Sequence, residues 1–147
     1  MSIETKALIA ALHCELVSAE RSIFSGAVKF VSVTASDGEL GIAAGHSPLL
    51  TSLPPGHLKI IDKHDEERFY FIEGGYLEVQ PHCVTVLTDT ALRASEIDLD
   101  KAMAAKAHAE KVLAKSPSAV NYSKASHELL EAMAKIHVIE ACRKYKN

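Results

Sequence analysis

Short alternations of polar and apolar residues fill the chain up to Arg93, and a longer periodicity of three to four residues takes over after it. In residues 28–35 (VKFVSVTA) the alternation puts Val28, Phe30, Ser32 and Thr34 on one face and Lys29, Val31, Val33 and Ala35 on the other. Both faces are partly apolar, as in a strand lying between two layers. Residues 58–61 and 68–72 flank the charged stretch 62–67, which predicts a hairpin connection. Gly74-Gly75 breaks the next run, residues 76–79 resume it, Pro81-His82 turns it, and 84–87 is the last clear strand. Short strands with turns at this spacing predict a β-sandwich or flattened barrel of about ten strands. No helix-length pattern intervenes, so a parallel α/β sheet is disfavoured.

The remainder reads as helix. Ser95-Glu96-Ile97-Asp98 precedes an apolar-periodic run in the form of a capping-box variant. Acidic Glu96, Asp98 and Asp100 crowd the start while Lys111 and Lys115 sit near the end, and both trends complement the helix dipole. Ser116-Pro117-Ser118 should stop this helix. A second is expected from Asn121, as its N-cap, to about Lys144, with Ala125, Leu129, Ala132, Ile136 and Ile139 on one face. Glu131 and Lys135 have the spacing of an i,i+4 ion pair. Leu99, Ala102, Met103, Ala109, Val112 and Leu113 offer a matching seam on the first helix, and small residues permit close antiparallel approach. The fold class is therefore α+β: an N-terminal antiparallel β-sandwich over 1–93 and a C-terminal antiparallel α-helical hairpin over 94–147. Two helices bury little area by themselves, so the hairpin should be held marginally and be the mobile element.

Charge sharpens that division. Residues 1–93 hold 7 basic and 12 acidic side chains, whereas residues 94–147 hold 9 basic and 7 acidic, so a body of −5 carries a tail of +2. A nucleic-acid binder would show a dense basic patch with aromatics beside it, and none is present. A basic tail suits docking on an acidic protein surface. No run reaches the roughly 18 apolar residues of a membrane span, and residues 1–12 are too short in apolar content for a signal-peptide core, so a cytoplasmic protein is expected. Cys14, Cys83 and Cys142 form no Cys-x-x-Cys pair, which argues against a zinc or dithiol centre.

Eight histidines invite a metal or catalytic reading that their spacing does not support, because no His-x-x-x-His occurs. His46 stands beside Ser47, but neighbours on extended chain point apart and Gly-x-Ser-x-Gly is missing, which leaves a small hydrolase as a weak alternative. Neither a Walker pattern nor Gly-x-Gly-x-x-Gly occurs. Residues 37–50 (DGELGIAAGHSPLL) stand out more, since three glycines and a proline fix an irregular loop that should present Glu39 outward.

That segment, with Val17-Ser18-Ala19-Glu20, Phe24-Ser25-Gly26, Gly74-Gly75-Tyr76-Leu77-Glu78-Val79 and Val84-Thr85-Val86-Leu87-Thr88-Asp89-Thr90-Ala91, resembles the epsilon subunit of bacterial F-type ATP synthase along most of the chain. The resemblance implies a non-catalytic rotor subunit on the cytoplasmic face of the inner membrane. Its sandwich would grip the gamma subunit and rest on the c-ring, while its hairpin would lie on the sandwich or extend into the catalytic head and block hydrolysis. It further implies Glu39 as a c-ring contact with His46 in the supporting turn. Lys111, Lys115, Lys124, Lys135, Arg143 and Lys144 would meet acidic segments of the beta subunits of the alpha–beta head. Some members bind ATP through Ile/Leu-Asp-x-x-Arg-Ala. Here Asp98 is retained but Lys101 holds the arginine position and lacks its planar fork, so weak ATP binding or none is expected, and Asp98 is read as a helix cap in preference to a nucleotide ligand. The alternative under the same resemblance is a nucleotide-sensing module whose hairpin closes on ATP. Ala43-Ala44 replaces a common aromatic–proline pair, and residues 1–11 have no assigned role.

Overall fold

A computed structural model describes residues 11–115 and 118–146. The expectations for most of the N-terminal extension and for Ser116 and Pro117 as a helix stop lie outside the described residues. Among the described residues nine strands form the body: β1 (Leu12–Ser18), β2 (Ser22–Ala35), β3 (Gly38–Ile42), β4 (Leu49–Leu53), β5 (Gly56–Asp62), β6 (Glu67–Ile72), β7 (Gly75–Gln80), β8 (Cys83–Thr88) and β9 (Ala91–Arg93). A short 3-10 turn, Ala94–Glu96, leads into α1 (Leu99–Ala114) and α2 (Ala119–Lys146).

The strands form one continuous sheet in the order β4-β7-β8-β1-β2-β5-β6-β9, with β3 also on β2. The fourteen-residue β2 is shared between the two layers, since its first half pairs with β1 and its second half with β3 and β5. Leu12, Cys14, Leu16, Leu77, Val79, Val84 and Val86 face Val31, Val33, Ile42, Leu58, Ile60 and Ile72 in the enclosed core. One pairing departs from the antiparallel expectation: β1 and β8 run parallel, His13 opposite Cys83 through Ser18 opposite Thr88. Six strands separate them in sequence, ample chain for the crossover a parallel pair requires.

The predicted hairpin at 62–67 is present, closed by β5 and β6. Asp62 organises its turn by accepting from the backbone N–H groups of His64 (2.8 Å) and Glu66 (3.1 Å). Beside it, the predicted faces of β2 need correcting. Opposite β5 the register runs Val28 to Asp62 and then Phe30 to Ile61, so Lys29 is an extra residue in a bulge. The bulge shifts the alternation by one, which brings Val28 into the core together with Val31 and Val33. Lys29 points out and pairs with Asp65 at 2.7 Å.

The helix starts bear out one expectation and revise two. Asp98 is the N-cap of α1, as its reading as a cap had it, and not Ser95; its carboxylate accepts from the Lys101 N–H at 3.1 Å. Ser118 takes the role assigned to Asn121, accepting from the Asn121 N–H at 3.4 Å one turn before the expected start. The seam between the helices is built on alanine as predicted: Ala102 and Ala109 on α1, Ala125 and Ala132 on α2, all buried and each pair seven residues apart. Met103 is not part of it, being 53% exposed. The Glu131–Lys135 pair does not form, because Glu131 is bonded to His127 at 2.9 Å and Lys135 is held elsewhere.

Gly75 has φ +135°, and a Cβ there would come within 1.9 Å of the Leu87 carbonyl oxygen. Gly38 has φ +127° but open space around it. Backbone strain alone costs ~1–3 kcal/mol, and overpacking against a fixed strand adds ~1–3 kcal/mol. Gly75→Ala should therefore lower the urea midpoint clearly more than Gly38→Ala; equal shifts would contradict the close approach of β7 to β8.

Candidate functional site

The outer face of β5 and β6 carries residues that a solvent-facing sheet would not. Register places His57 opposite Phe71 and Lys59 opposite Phe69, all pointing away from the enclosed core. Phe71 is only 2% exposed, yet it is no part of the sandwich core. It is covered by α2, whose Lys135 Nζ stands 5.1 Å from the centre of its ring. Val138 and Ile139 of the same helix are buried. Further along, Tyr145 meets Phe69 with ring centres 5.9 Å apart and its hydroxyl accepts from the Glu67 N–H at 3.3 Å. Lys59 and Glu67 close the rim at 2.6 Å. The hairpin thus lies folded on one face of the sandwich mainly through α2, with α1 packed on α2.

At one end of this contact the rings of His57 and His137 stack, centres 4.3 Å apart and tilted by 34°. Glu39 is tied to the same spot. Its carboxylate accepts from the Ser32 hydroxyl and lies 3.4 Å from His57 Nε2. The Ser32 bond first, and the nearby His57 after it, hold its carboxyl below the usual range against the opposing effect of burial. Glu39 remains half open to solvent on the edge of the sandwich but leans toward the hairpin. His46, in the loop after β3, is bonded through Nδ1 to the Ser47 carbonyl oxygen at 2.7 Å. Among the described residues no hydrogen bond joins it to Glu39.

Asp98 and Lys101 line a second region, a pocket of about 370 Å³ between α1 and α2. Its ionisable lining is Glu96, Asp98, Glu128 and Glu131 against Lys101 and Lys135. The Asp98 carboxylate already serves as the helix cap and Lys135 sits over Phe71. An excess of carboxylates is a poor setting for a triphosphate.

A larger cleft, about 470 Å³, runs between β6, β9 and the end of α2 beside Arg68, Arg93, Arg143 and Lys146. Arg68 is committed to Asp62 at 3.4 Å and to the Phe24 ring, and Arg143 and Lys146 complement the C-terminal end of the α2 dipole. The six basic residues singled out from the sequence do not share one face: Lys135 lies under the helix against the sandwich, while Lys111, Lys115, Lys124, Arg143 and Lys144 are exposed. Burial pushes the Cys14 thiol up to about 12, which makes it a packing residue.

Phe71, His57 and His137 were not singled out in the sequence. The signal lay in β6 itself, where Phe69-Tyr70-Phe71-Ile72 is apolar on both faces and so calls for cover on both. A different apolar feature remains open on the other layer. Tyr76 is 60% exposed and Leu87, opposite it in register, is 49% exposed; Val17 continues the row across β1.

Among the described residues no helix is long and apolar enough to cross a membrane. A family model described as ATP synthase, Delta/Epsilon chain, beta-sandwich domain matches residues 11–94. A second, described as ATP synthase, Delta/Epsilon chain, long alpha-helix domain, matches residues 95–140. Of solved structures, the chain is similar to one in the Euglena gracilis mitochondrial ATP synthase (OSCP, F1 and c-ring, rotational state 1). It is 24% identical, with TM-score 0.77, covering 90% of this chain and 81% of that one. It is also similar to a chain in the central stalk and c-ring of the Tetrahymena thermophila mitochondrial ATP synthase. There the identity is 14% and the TM-score 0.65, over 87% of this chain and 96% of that one. These two likenesses speak for the fold. With both family models matched in order, the chain belongs to the ATP synthase delta/epsilon chain family.

Proposed function

We propose that this chain is a non-catalytic rotor subunit of a bacterial F-type ATP synthase, peripheral on the cytoplasmic face of the inner membrane, with its hairpin as a mobile brake on hydrolysis. The observation that carries this reading is the mode of docking: a whole helical hairpin rests on the sandwich chiefly through one face of one helix, around Phe71. Fully burying a phenylalanine stabilises by ~1.5–3 kcal/mol. Such a contact holds the hairpin in the isolated chain and still yields to a competing surface of comparable size.

The body has the complementary property of a fixed anchor. The Tyr76–Leu87–Val17 row is apolar, exposed at Tyr76 and Leu87 and carried on paired strands, and it is the surface we assign to gamma. Glu39 and His46, on and after β3, are assigned to the polar loops of the c-ring. When the hairpin extends, Lys111, Lys115, Lys124, Lys135, Arg143 and Lys144 would face the acidic segments of the beta subunits, with Lys135 freed from Phe71 in the process. The carboxylate-rich pocket at Asp98 and Lys101 supports weak ATP binding or none, and disfavours the nucleotide-sensing alternative.

Truncation after Ala94 should raise ATP hydrolysis by a reconstituted catalytic head while the shortened chain still binds gamma. Binding without any rise would remove the brake from the account, and loss of gamma binding by both forms would remove the rotor assignment. Phe71→Ala, in a site where Phe→Ala costs ~3–5 kcal/mol if the cavity stays open, should free α2: its amide protection falls, the β8 and β1 amides keep theirs, and inhibition deepens. Unchanged α2 protection would show that Phe71 is not the anchor. Calorimetric titration should find ATP binding no tighter than ~1 mM; a sub-millimolar affinity would restore the nucleotide-sensing reading.

A further inference from the structure

We infer that Glu39, His57 and His137 form a protonation-sensitive clasp between sandwich and hairpin, closed at neutral pH and released as the pH falls. The geometry fixes the His57 ring from three sides. Thr34 Oγ1 stands 3.0 Å from its Nδ1, the Glu39 carboxylate 3.4 Å from its Nε2, and the His137 ring lies across its face. A carboxylate only accepts, so Nε2 carries the proton, while Thr34 Oγ1, which also lies 3.4 Å from the His57 carbonyl oxygen, partners Nδ1. Glu39 is itself oriented by Ser32. The clasp is therefore an arrangement on β2, β3 and β5 made to receive one neutral imidazole from α2.

Charge on both rings at once opposes this contact. Glu39 can balance a proton on His57, but a second proton on His137 would place two imidazolium rings with centres 4.3 Å apart. The other charged groups facing His137 come from its own helix, where Glu140 favours the proton and Lys144 opposes it. Burial first, and His57 after it, outweigh the two carboxylates and hold His137 below its ordinary value of 6.5. Above 6.5 both the docked and the released hairpin carry a neutral His137, and docking is at full strength. As the pH falls below that value the released form takes up the proton first, so docking weakens until the docked form titrates as well. Glu39 adds no comparable window of its own, since Ser32 and His57, which lower its carboxyl, lie on the sandwich and stay with it when the hairpin leaves.

This goes beyond the proposed brake by naming what sets its position, and it can be tested on the full chain alone without a hydrolysis assay. His137 should titrate below 6.5 when its Cε1 proton is followed by NMR from pH 8 to pH 5. Over the same range the α2 protection factors, corrected for intrinsic exchange, should fall by up to about tenfold for each unit that separates docked from released His137. His137→Gln keeps a polar side chain that cannot charge; it should remain docked and lose this pH dependence, and His57→Gln, which removes only the lesser of the two causes, should weaken the dependence without abolishing it. Glu39→Gln should move the His137 inflection lower still. Titration of His137 at or above 6.5, or the same pH dependence in wild type and both glutamine variants, would overturn the clasp while leaving the brake to its own test.

Discussion

Phe71 projects from the outer face of β6, on the side away from the enclosed core, and α2 keeps water from it. Much else in the molecule follows from that placement. Because a phenylalanine stands where a two-layer sandwich would normally carry a polar residue, the sheet needs a third layer, and the hairpin supplies it. The layer rests on one aromatic anchor, flanked by a histidine pair at one end and Tyr145 against Phe69 at the other, so few side chains hold it to the sheet. The sandwich meanwhile has its own complete core, so departure of the hairpin exposes a face without unfolding the body.

The two helices are built for the same property. Their contact is an alanine seam, which gives close approach and little apolar area, so each helix relies on the other and the pair relies on the sheet. Several apolar residues on the hairpin stay exposed in this state, among them Met103, Leu130 and Met133 at about half. On the opposite layer the row through Tyr76 and Leu87 is exposed while the hairpin is docked, so it lies apart from the face that the hairpin covers.

The β5–β6 hairpin, the strand-to-helix division and the alanine seam were legible because each rests on local chemistry: a charged turn, a loss of glycine, a seven-residue spacing. The phase of β2 was not, because a bulge at Lys29 is decided by how β2 meets β5, and nothing in VKFVSVTA marks it. Ser118 and Asn121 are both good caps, so sequence preference could not choose between them, and Asn121 lies inside the first turn of α2. Glu131 and Lys135 have ideal pairing distance on a free helix, but Phe71 takes the lysine and His127 takes the glutamate. Glu39 was recognised as exposed and notable. Its bond to Ser32 and its approach to His57 depend on three strands coming together, which no single segment announces.

The central claim is that the hairpin acts by leaving the sandwich. The most direct measurement locks it in place: a cross-link between His57→Cys on β5 and His137→Cys on α2, where the native rings already stack at 4.3 Å. Hydrolysis by the catalytic head is then compared for the oxidised and reduced forms of that one chain. The account predicts that the locked chain still joins the complex but does not inhibit, and that reduction restores inhibition. Equal inhibition in both forms would contradict it, since the hairpin would then act without ever leaving the sheet.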